Sequence, residues 1–120
     1  MAVQRWFLAR GDRDPDVLAL QQAINTLAVH LGPAAGQSPI QEDGIFGPRT
    51  EEAVRWVQRT LGVTVDGLAG PETLGALASA LQARGLGTLS FNRQASRTNQ
   101  VPIGPVTFQA TRAGDAARRA

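Results

Sequence analysis

A short stretch that decides the fold occurs twice in this chain. It reads Asp43-Gly44-Ile45-Phe46-Gly47-Pro48-Arg49-Thr50 and returns as Asp66-Gly67-Leu68-Ala69-Gly70-Pro71-Glu72-Thr73. In each copy the Asp carboxylate is suited to bond the backbone of a turn, the first Gly permits a positive φ, and the Gly-Pro pair suits the start of a helix. Two copies in register predict a unit of one turn and one helix that is repeated.

The residues before the first copy predict a helix that starts at Asp14 and Pro15. Asp is a good N-cap residue, and Pro, which has no N–H, suits the first helical position. Gly32 and Pro33 predict the end of this helix. Between these limits, apolar residues recur at spacings of three and four, which indicates one face turned towards a core. They are Val17, Leu20, Ile24, Leu27 and Leu31.

Each copy of the turn is followed by a further helix. The second helix is predicted to begin around Gly47 and to end at Gly62, and the third to run from Pro71 to a stop at Gly85. The residues predicted to face inward are Ala53, Val54, Val57 and Leu61 in the second helix, and Leu74, Leu77 and Leu81 in the third. The sequence therefore predicts a three-helix body.

The composition of the 120 residues excludes several kinds of site. There is no Cys and only one His, so disulfides, thiol nucleophiles and thiolate zinc sites are excluded. His30 has no second His or Cys with which to share a metal ion. The sequence therefore predicts no metal and no cofactor.

Catalytic arrangements are also missing. Glu51 and Glu52 are adjacent on the second helix and point in different directions, whereas glycoside hydrolysis needs two carboxylates that face each other. No Ser lies in a nucleophile-elbow context that would join His30, and neither Gly-rich turn is followed by the Lys-Ser or Lys-Thr of a phosphate-binding loop. We predict that the chain is not an enzyme.

The last part of the chain differs in composition from the rest. Residues 84–120 contain six Arg and one acid, Asp115, and are rich in Gly, Ser, Thr, Asn, Gln and Pro. Such a segment is not expected to bury a core of its own. We predict a helical domain at residues 1–84 and a basic, extended tail at residues 85–120 that docks on other protein subunits. Nucleic acid is a poor candidate, because the Arg residues are widely spread.

No targeting segment is recognised near the start. The apolar run from Trp6 to Ala9 ends at Arg10, which makes it too short for a signal peptide. The uncharged residues 17–41 include several polar side chains and two Pro, so they do not predict a membrane span. The chain is expected to be soluble as synthesised, with no signal peptide and no membrane insertion.

The two turns and their helices resemble the helical peptidoglycan-binding domain appended to many bacterial and phage cell-wall hydrolases. The resemblance spans roughly residues 6 to 84 and implies an all-α, small three-helix bundle, to which this sequence adds an extended C-terminal arm. Two departures from the family pattern are Val57, where Phe is usual, and a longer loop from Gly32 to Glu42. The matching residues are Leu8, Gly11-Asp12, Val17 to Gln21, Asp43 to Thr50, Ala53-Val54, Gln58 and Val65 to Thr73.

The resemblance further implies non-catalytic binding to peptidoglycan, in a shallow site between the first two helices and the Asp43–Thr50 turn. Arg49 is expected to pair with a stem-peptide carboxylate, because its planar fork suits that group. Trp56 is expected to be half-exposed and to lie against a sugar. Gln21 and Gln58 are expected to offer their amides to peptide or acetamido groups.

Phe46 is the remaining candidate for ligand contact. A residue at its place in the turn is also suited to plug the core beneath the turn. The sequence does not decide which of Ile45 and Phe46 faces inward.

A second hypothesis is a structural or adaptor subunit of a large assembly, such as a phage tail or an injection machine. Such a subunit would use the same fold for protein–protein contacts and the tail as its docking arm. A phage particle reaches peptidoglycan without secretion, which agrees with the predicted lack of a signal peptide. The expected location is the bacterial cell wall or a virion or tail-like particle.

Overall fold

In the computed structural model, which describes residues 5–96 and 101–119, three helices are followed by two strands and a fourth helix. The elements are α1 (Pro15–Leu31), α2 (Pro48–Leu61), α3 (Pro71–Ala83), β1 (Gly87–Ser90), β2 (Thr107–Ala110) and α4 (Arg112–Arg119), with short 3-10 turns at Pro33–Ala35 and Arg93–Ser96. The described part of the chain is therefore mostly helical, with a small two-stranded sheet, and the prediction of a purely α fold needs this correction.

Helix α1 begins and ends where the sequence predicts. One carboxylate oxygen of Asp14 accepts hydrogen bonds from the backbone N–H groups of Asp16 (2.9 Å) and Val17 (3.3 Å). At the other end, the N–H of Gly32 donates to the carbonyl of Ala28. Of the predicted inner face of α1, Val17, Leu20, Ile24 and Leu27 are buried in the core, and Leu31 is partly buried against it. None of the helices in the described ranges combines the length and the apolar character that a membrane span requires.

Helices α2 and α3 begin alike, because each follows a Gly-Pro pair. Gly47 and Gly70 have nearly the same extended backbone, with φ of −103° and −97°. The two helices also end alike. The N–H of Val63 donates to the carbonyl of Gln58 (3.0 Å), and the N–H of Leu86 donates to the carbonyl of Leu81 (2.9 Å). Leu61 is partly buried, and the other predicted inner residues are buried: Ala53, Val54, Val57, Leu74, Leu77 and Leu81.

The prediction of an extended arm after residue 84 is wrong for the described residues. Leu86, Leu89, Ile103 and Val106 are buried in the same apolar cluster as the three helices. Strand β1 pairs with β2 in antiparallel fashion, with Leu89 opposite Phe108, and β2 and α4 lie against α1. The segment does not need a core of its own, because α1 and α3 supply the surface on which its few apolar residues are buried. Residues 97–100 and 120 of the predicted tail, and 1–4 of the predicted domain, lie outside the described residues.

Helix α4 approaches the start of β1 so closely that one of its positions requires glycine. A Cβ atom added to Gly114 would lie 1.8 Å from the carbonyl oxygen of Leu86. The same carbonyl accepts a hydrogen bond from the N–H of Thr111 at 3.0 Å, and the Thr111 hydroxyl accepts one from the N–H of Gly114 at 3.2 Å. Helix α4 is therefore docked on Leu86 through its backbone.

Helix propensity alone predicts that Gly→Ala in a helix stabilises it by up to about 1 kcal/mol. We expect Gly114→Ala to lower the midpoint of thermal unfolding instead, because the added methyl group collides with the Leu86 carbonyl. Gly75→Ala in α3 is the matched control: its Cβ would meet nothing closer than Phe91 at 3.9 Å, an ordinary contact. That variant should be at least as stable as the wild type. Equal stability of the two variants, measured by circular dichroism, would contradict the docking of α4 on Leu86.

Candidate ligand-binding site

The first copy of the repeated turn, residues 43–50, is called turn 1 and is held by Gln21 of α1. The amide oxygen of Gln21 accepts hydrogen bonds from the backbone N–H groups of Asp43 (3.0 Å) and Gly44 (2.8 Å). Its amide nitrogen lies within hydrogen-bonding distance of the Asp43 carboxylate (3.1 Å), the Ile45 carbonyl (2.9 Å) and the Thr50 hydroxyl (3.1 Å). One side chain therefore joins α1 to both ends of the turn.

The second copy, residues 66–73 or turn 2, is held in the same way by Gln58 of α2. The Gln58 amide oxygen accepts from the N–H groups of Asp66 and Gly67, both at 3.0 Å. Its nitrogen lies 2.8 Å from the Asp66 carboxylate, 3.0 Å from the Leu68 carbonyl and 3.0 Å from the Thr73 hydroxyl. We call Gln21 and Gln58 the glutamine clamps. Both were predicted to contact ligand, but neither has any exposed surface, and the structure places their amides inside the protein.

The two Asp residues that open the turns bond their own backbone. The Asp43 carboxylate accepts from the N–H of Ile45 (3.0 Å), and the Asp66 carboxylate from the N–H of Leu68 (2.9 Å). The Gly after each Asp has a positive φ, and at Gly44 (φ 74°) an added Cβ would also come within 3.2 Å of the Asp14 carbonyl oxygen. These groups fix the shape of the turns and leave other residues to face solvent.

The choice between Ile45 and Phe46 is decided by the core. Phe46 is buried beneath turn 1, and its backbone bonds the chain near the N-terminus: its N–H donates to Asp12 and its carbonyl accepts from Gly11, both at 2.9 Å. Ile45 points outward with 41% of its surface exposed. The structure therefore places Phe46 in the core, where it is not accessible to a ligand. Ile45 is the residue of this pair that is exposed to a ligand.

Trp56 is not half-exposed, and that prediction is wrong. The side chain is 5% exposed, and its indole N–H donates to the carbonyl of Ala35 at 2.8 Å. Ala35 belongs to the Pro33–Ala35 turn in the long loop after α1. Because this loop covers the indole, Trp56 anchors the loop to α2 and presents no flat face to solvent.

Arg49 is the one predicted ligand residue that lines an open groove. This groove 1, of about 310 Å³, is bordered by Ile40, Gln41, Asp43, Ile45, Gly47, Pro48, Arg49 and Thr50. Its far wall is fixed by Asn25 of α1, whose amide donates to the Ile40 carbonyl (2.7 Å) and accepts from the Ile40 N–H (2.8 Å). Ile40, Gln41 and Asn25 were not predicted from the sequence, since nothing in their spacing indicates that the loop returns to α1.

The groups around groove 1 suit a ligand that carries an anionic end. Arg49 is exposed and makes no hydrogen bond or ion pair with the rest of the described chain. It stands in the first turn of α2, whose N-terminal N–H groups have no side-chain cap. Uncapped N–H groups and the helix dipole favour an anion at this end. Asp43 stays ionised beside them, because the N–H of Ile45 and then the Gln21 amide lower its pKa.

A second groove lies at turn 2. This groove 2, of about 290 Å³, is lined by Trp6, Phe7, Asp66, Leu68, Gly70, Pro71, Glu72 and Thr73. Its turn residues occupy the same positions as those of groove 1 and are identical except that Leu68 replaces Ile45 and Glu72 replaces Arg49. Groove 2 was not predicted from the sequence, in which Trp6 and Phe7 stand out only as part of an apolar run.

Residues 5–13 join the two turns. Leu8 exchanges backbone hydrogen bonds with Ala69 of turn 2, both at 2.9 Å, and Arg13 pairs with Ile45 of turn 1. Arg5 anchors the start of the segment to α1 through ion pairs with Asp14 and Asp16. Burial lowers the pKa of Arg5. Asp14, Asp12 and Asp16 together raise this pKa by more than burial lowers it, so the pKa lies above its ordinary value. Grooves 1 and 2 are thus placed along one continuous segment.

Replacing Gln58 by Ala tests the glutamine clamps. The change leaves the N–H groups of Asp66 and Gly67 without their acceptor, and we expect it to lower the free energy of unfolding by about 3 kcal/mol. Gln82→Ala, an identical change at an exposed position of α3, should stay within about 0.5 kcal/mol of the wild type. Urea unfolding of both variants provides the comparison, and equal losses would refute the special role of Gln58.

The lowered pKa of Asp43 predicts a dependence of stability on pH. A carboxylate with a lower pKa in the folded state stabilises that state above its unfolded pKa, and this contribution is lost as the pH falls through the folded pKa. We therefore expect the unfolding free energy of Asp43→Asn to fall less steeply with acid than that of the wild type. Glu52→Gln on the exposed face of α2 should keep the wild-type slope. Parallel acid profiles for all three proteins would contradict the assignment.

Comparisons with known proteins agree with this arrangement of turns and helices. The family model described as a putative peptidoglycan binding domain matches residues 13–77, which include both turns and both glutamine clamps. Among solved structures, the N-terminal domain of SleB is similar, with a TM-score of 0.51 and 33% identity, over 66% of this chain and 97% of that one. No curated protein matches the chain. Because the family model covers more than half of the sequence, the chain belongs to the family of putative peptidoglycan-binding domains.

Proposed function

We propose that the chain is a non-catalytic module that binds peptidoglycan, and that groove 1 receives a carboxylate of the stem peptide through Arg49. The observation that carries this proposal is the position of Arg49: exposed, without a partner among the described residues, and in the uncapped first turn of α2. Membership of a peptidoglycan-binding family supports peptidoglycan as the bound polymer. The chemistry of groove 1 supports a carboxylate as the group on that polymer that is contacted.

The geometry of groove 1 matches a short peptide end. The planar guanidinium of Arg49 can donate two parallel hydrogen bonds to one carboxylate, and the free N–H groups of α2 add donors from the same direction. Ile45 and Ile40 give an apolar contact for a small side chain. Asp43, ionised at neutral pH, is an acceptor for a peptide N–H.

The carboxylate in groove 1 supports a binding role over catalysis. A general acid for glycoside cleavage needs a raised pKa, so that it carries a proton at neutral pH. The pKa of Asp43 is shifted in the opposite direction, by hydrogen bonds that also maintain the turn. A shallow groove of this kind binds weakly by itself, and we expect tight attachment to depend on several modules that meet one polymer.

The adaptor hypothesis has less support than wall binding. It rested on the predicted lack of a signal peptide and on a basic tail that was expected to have no core of its own and to dock on other subunits. In the described part of that tail, Leu86, Leu89, Ile103 and Val106 are buried against the chain's own helices. Docking of this segment on another subunit is therefore not required to explain its sequence, and we propose wall binding alone.

Co-sedimentation with insoluble sacculi tests the proposal. We expect Arg49→Ala to weaken binding by about tenfold or more, because it removes a charge-assisted, two-bond contact. Arg59→Ala is the matched control: it removes the same charge from an exposed position in the last turn of α2, away from the groove. Its binding should equal that of the wild type at moderate salt.

Two outcomes would contradict the proposal. If both Arg variants lost the same share of binding, the attraction would be a non-specific effect of charge. If the wild type failed to sediment with sacculi at all, groove 1 would not be a wall-binding site.

A further inference from the structure

We propose that groove 2 holds a sugar ring of the glycan strand while groove 1 holds the peptide carboxylate of the same polymer. The inference rests on the proposed function for the identity of the polymer. It adds a second subsite, whose residues are not among those predicted from the sequence, and it assigns a different chemical group to each turn.

The first argument is the exposure of an aromatic side chain at turn 2. Among the described residues the exposed large apolar side chains are Phe7 (42%), Ile45 (41%) and Val65 (47%). Phe7 lines groove 2 beside Trp6, over a floor that includes Leu68 and Pro71. Rigid aromatic side chains next to polar groups suit a ligand that has a flat apolar face and a polar rim, and a sugar ring has both.

The second argument is the difference in charge between two grooves of the same construction. Groove 1 has Arg49 in the first turn of its helix, and groove 2 has Glu72 at the equivalent place. Helix α3 starts with the same uncapped N–H groups as α2, but with Asp66 also on its edge and no cation among its lining residues, groove 2 is less favourable to a carboxylate than groove 1. Carboxylates accept hydrogen bonds from hydroxyl and amide N–H groups, which surround the rim of an amino sugar. The two grooves therefore select different parts of one polymer.

The carboxylates of groove 2 are held in place. One oxygen of Asp66 is bonded to the amide of Gln58 and to the N–H of Leu68, and one oxygen of Glu72 accepts from the N–H of Thr64 at 3.3 Å. These bonds fix the direction of the other oxygen in each group, so that acceptors are oriented before a ligand arrives. Less side-chain freedom is then lost on binding.

The third argument is the short distance between the grooves. Leu8 is bonded to Ala69 in turn 2, and Asp12 is bonded to Phe46 in turn 1. Leu8 and Asp12 are four positions apart in the chain, so these two contacts lie at most about 14 Å from each other. One glycan strand with its stem peptide can therefore reach both grooves at once.

The test uses glycan strands from which the stem peptides have been removed by an amidase, titrated into the whole chain and followed by NMR. We expect the indole N–H signal of Trp6 and the backbone signals of Phe7 and Leu68 to shift. The dissociation constant should rise about three- to tenfold in Phe7→Ala. Val65→Ala is the matched control, since it shortens an equally exposed apolar residue that does not line groove 2, and it should bind as the wild type does.

Arg49→Ala separates this inference from the proposed function. It should leave binding of peptide-free glycan unchanged while it weakens binding to intact sacculi. If sacculi binding depends on Arg49 but peptide-free glycan causes no shift at groove 2, the sugar subsite is refuted and the proposed function stands. If sacculi do not bind at all, both fail.

A different occupant would also overturn the inference. In that case the NMR signals of groove 2 would shift when a stem peptide with a free amine is added. They would not shift once that amine is acetylated, and they would not shift with glycan. Because the shifts are measured on the wild type, this result would be interpretable even if Phe7→Ala did not fold.

Discussion

Each repeated turn depends on one buried primary amide. The amide of a glutamine clamp has both a donor and an acceptor. A single buried side chain therefore satisfies two backbone N–H groups and contacts a carboxylate, a carbonyl and a hydroxyl. Few other side chains combine these capacities at that size. The clamp on α1 holds the turn that starts α2, and the clamp on α2 holds the turn that starts α3. Because residues of these two turns line grooves 1 and 2, the clamps also fix the shape of both grooves.

The clamps separate the residues that make a turn from those that face a ligand. Asp, both Gly, Pro and Thr are the same in turns 1 and 2, and the Asp and Thr side chains hold the turn by bonding the clamp. Ile45 and Arg49 in turn 1 become Leu68 and Glu72 in turn 2, and these positions line the grooves. One backbone geometry therefore carries two surfaces of different charge, because the side chains at the outward positions take no part in holding the turn.

The parts of the fold that depend on local chemistry were predictable from the sequence. An Asp-Pro start for α1, Gly-Pro starts for α2 and α3, Gly ends and apolar spacing located the three helices. The inward position of the two clamps was also predictable. Gln21 lies four residues after Val17 and three before Ile24, and Gln58 has the same relation to Val54 and Leu61. This spacing places both glutamines on the inner faces of their helices. The cover over Trp56 and the docking of residues 86–96 and 101–110 depend on contacts between distant segments, for which a single sequence carries no periodic signal.

Leu81 shows how the repeat is brought to an end. It stands on α3 where Gln58 stands on α2, since the carbonyl of each accepts the N–H that closes its helix. A leucine side chain cannot bond a backbone, so α3 has no means of organising a third turn, and the chain continues as β1, β2 and α4. In a solenoid, terminal units must be capped so that no unsatisfied surface invites further stacking. Here a leucine in place of a glutamine clamp limits the repeat to two turns, and β1, β2 and α4 form the cap.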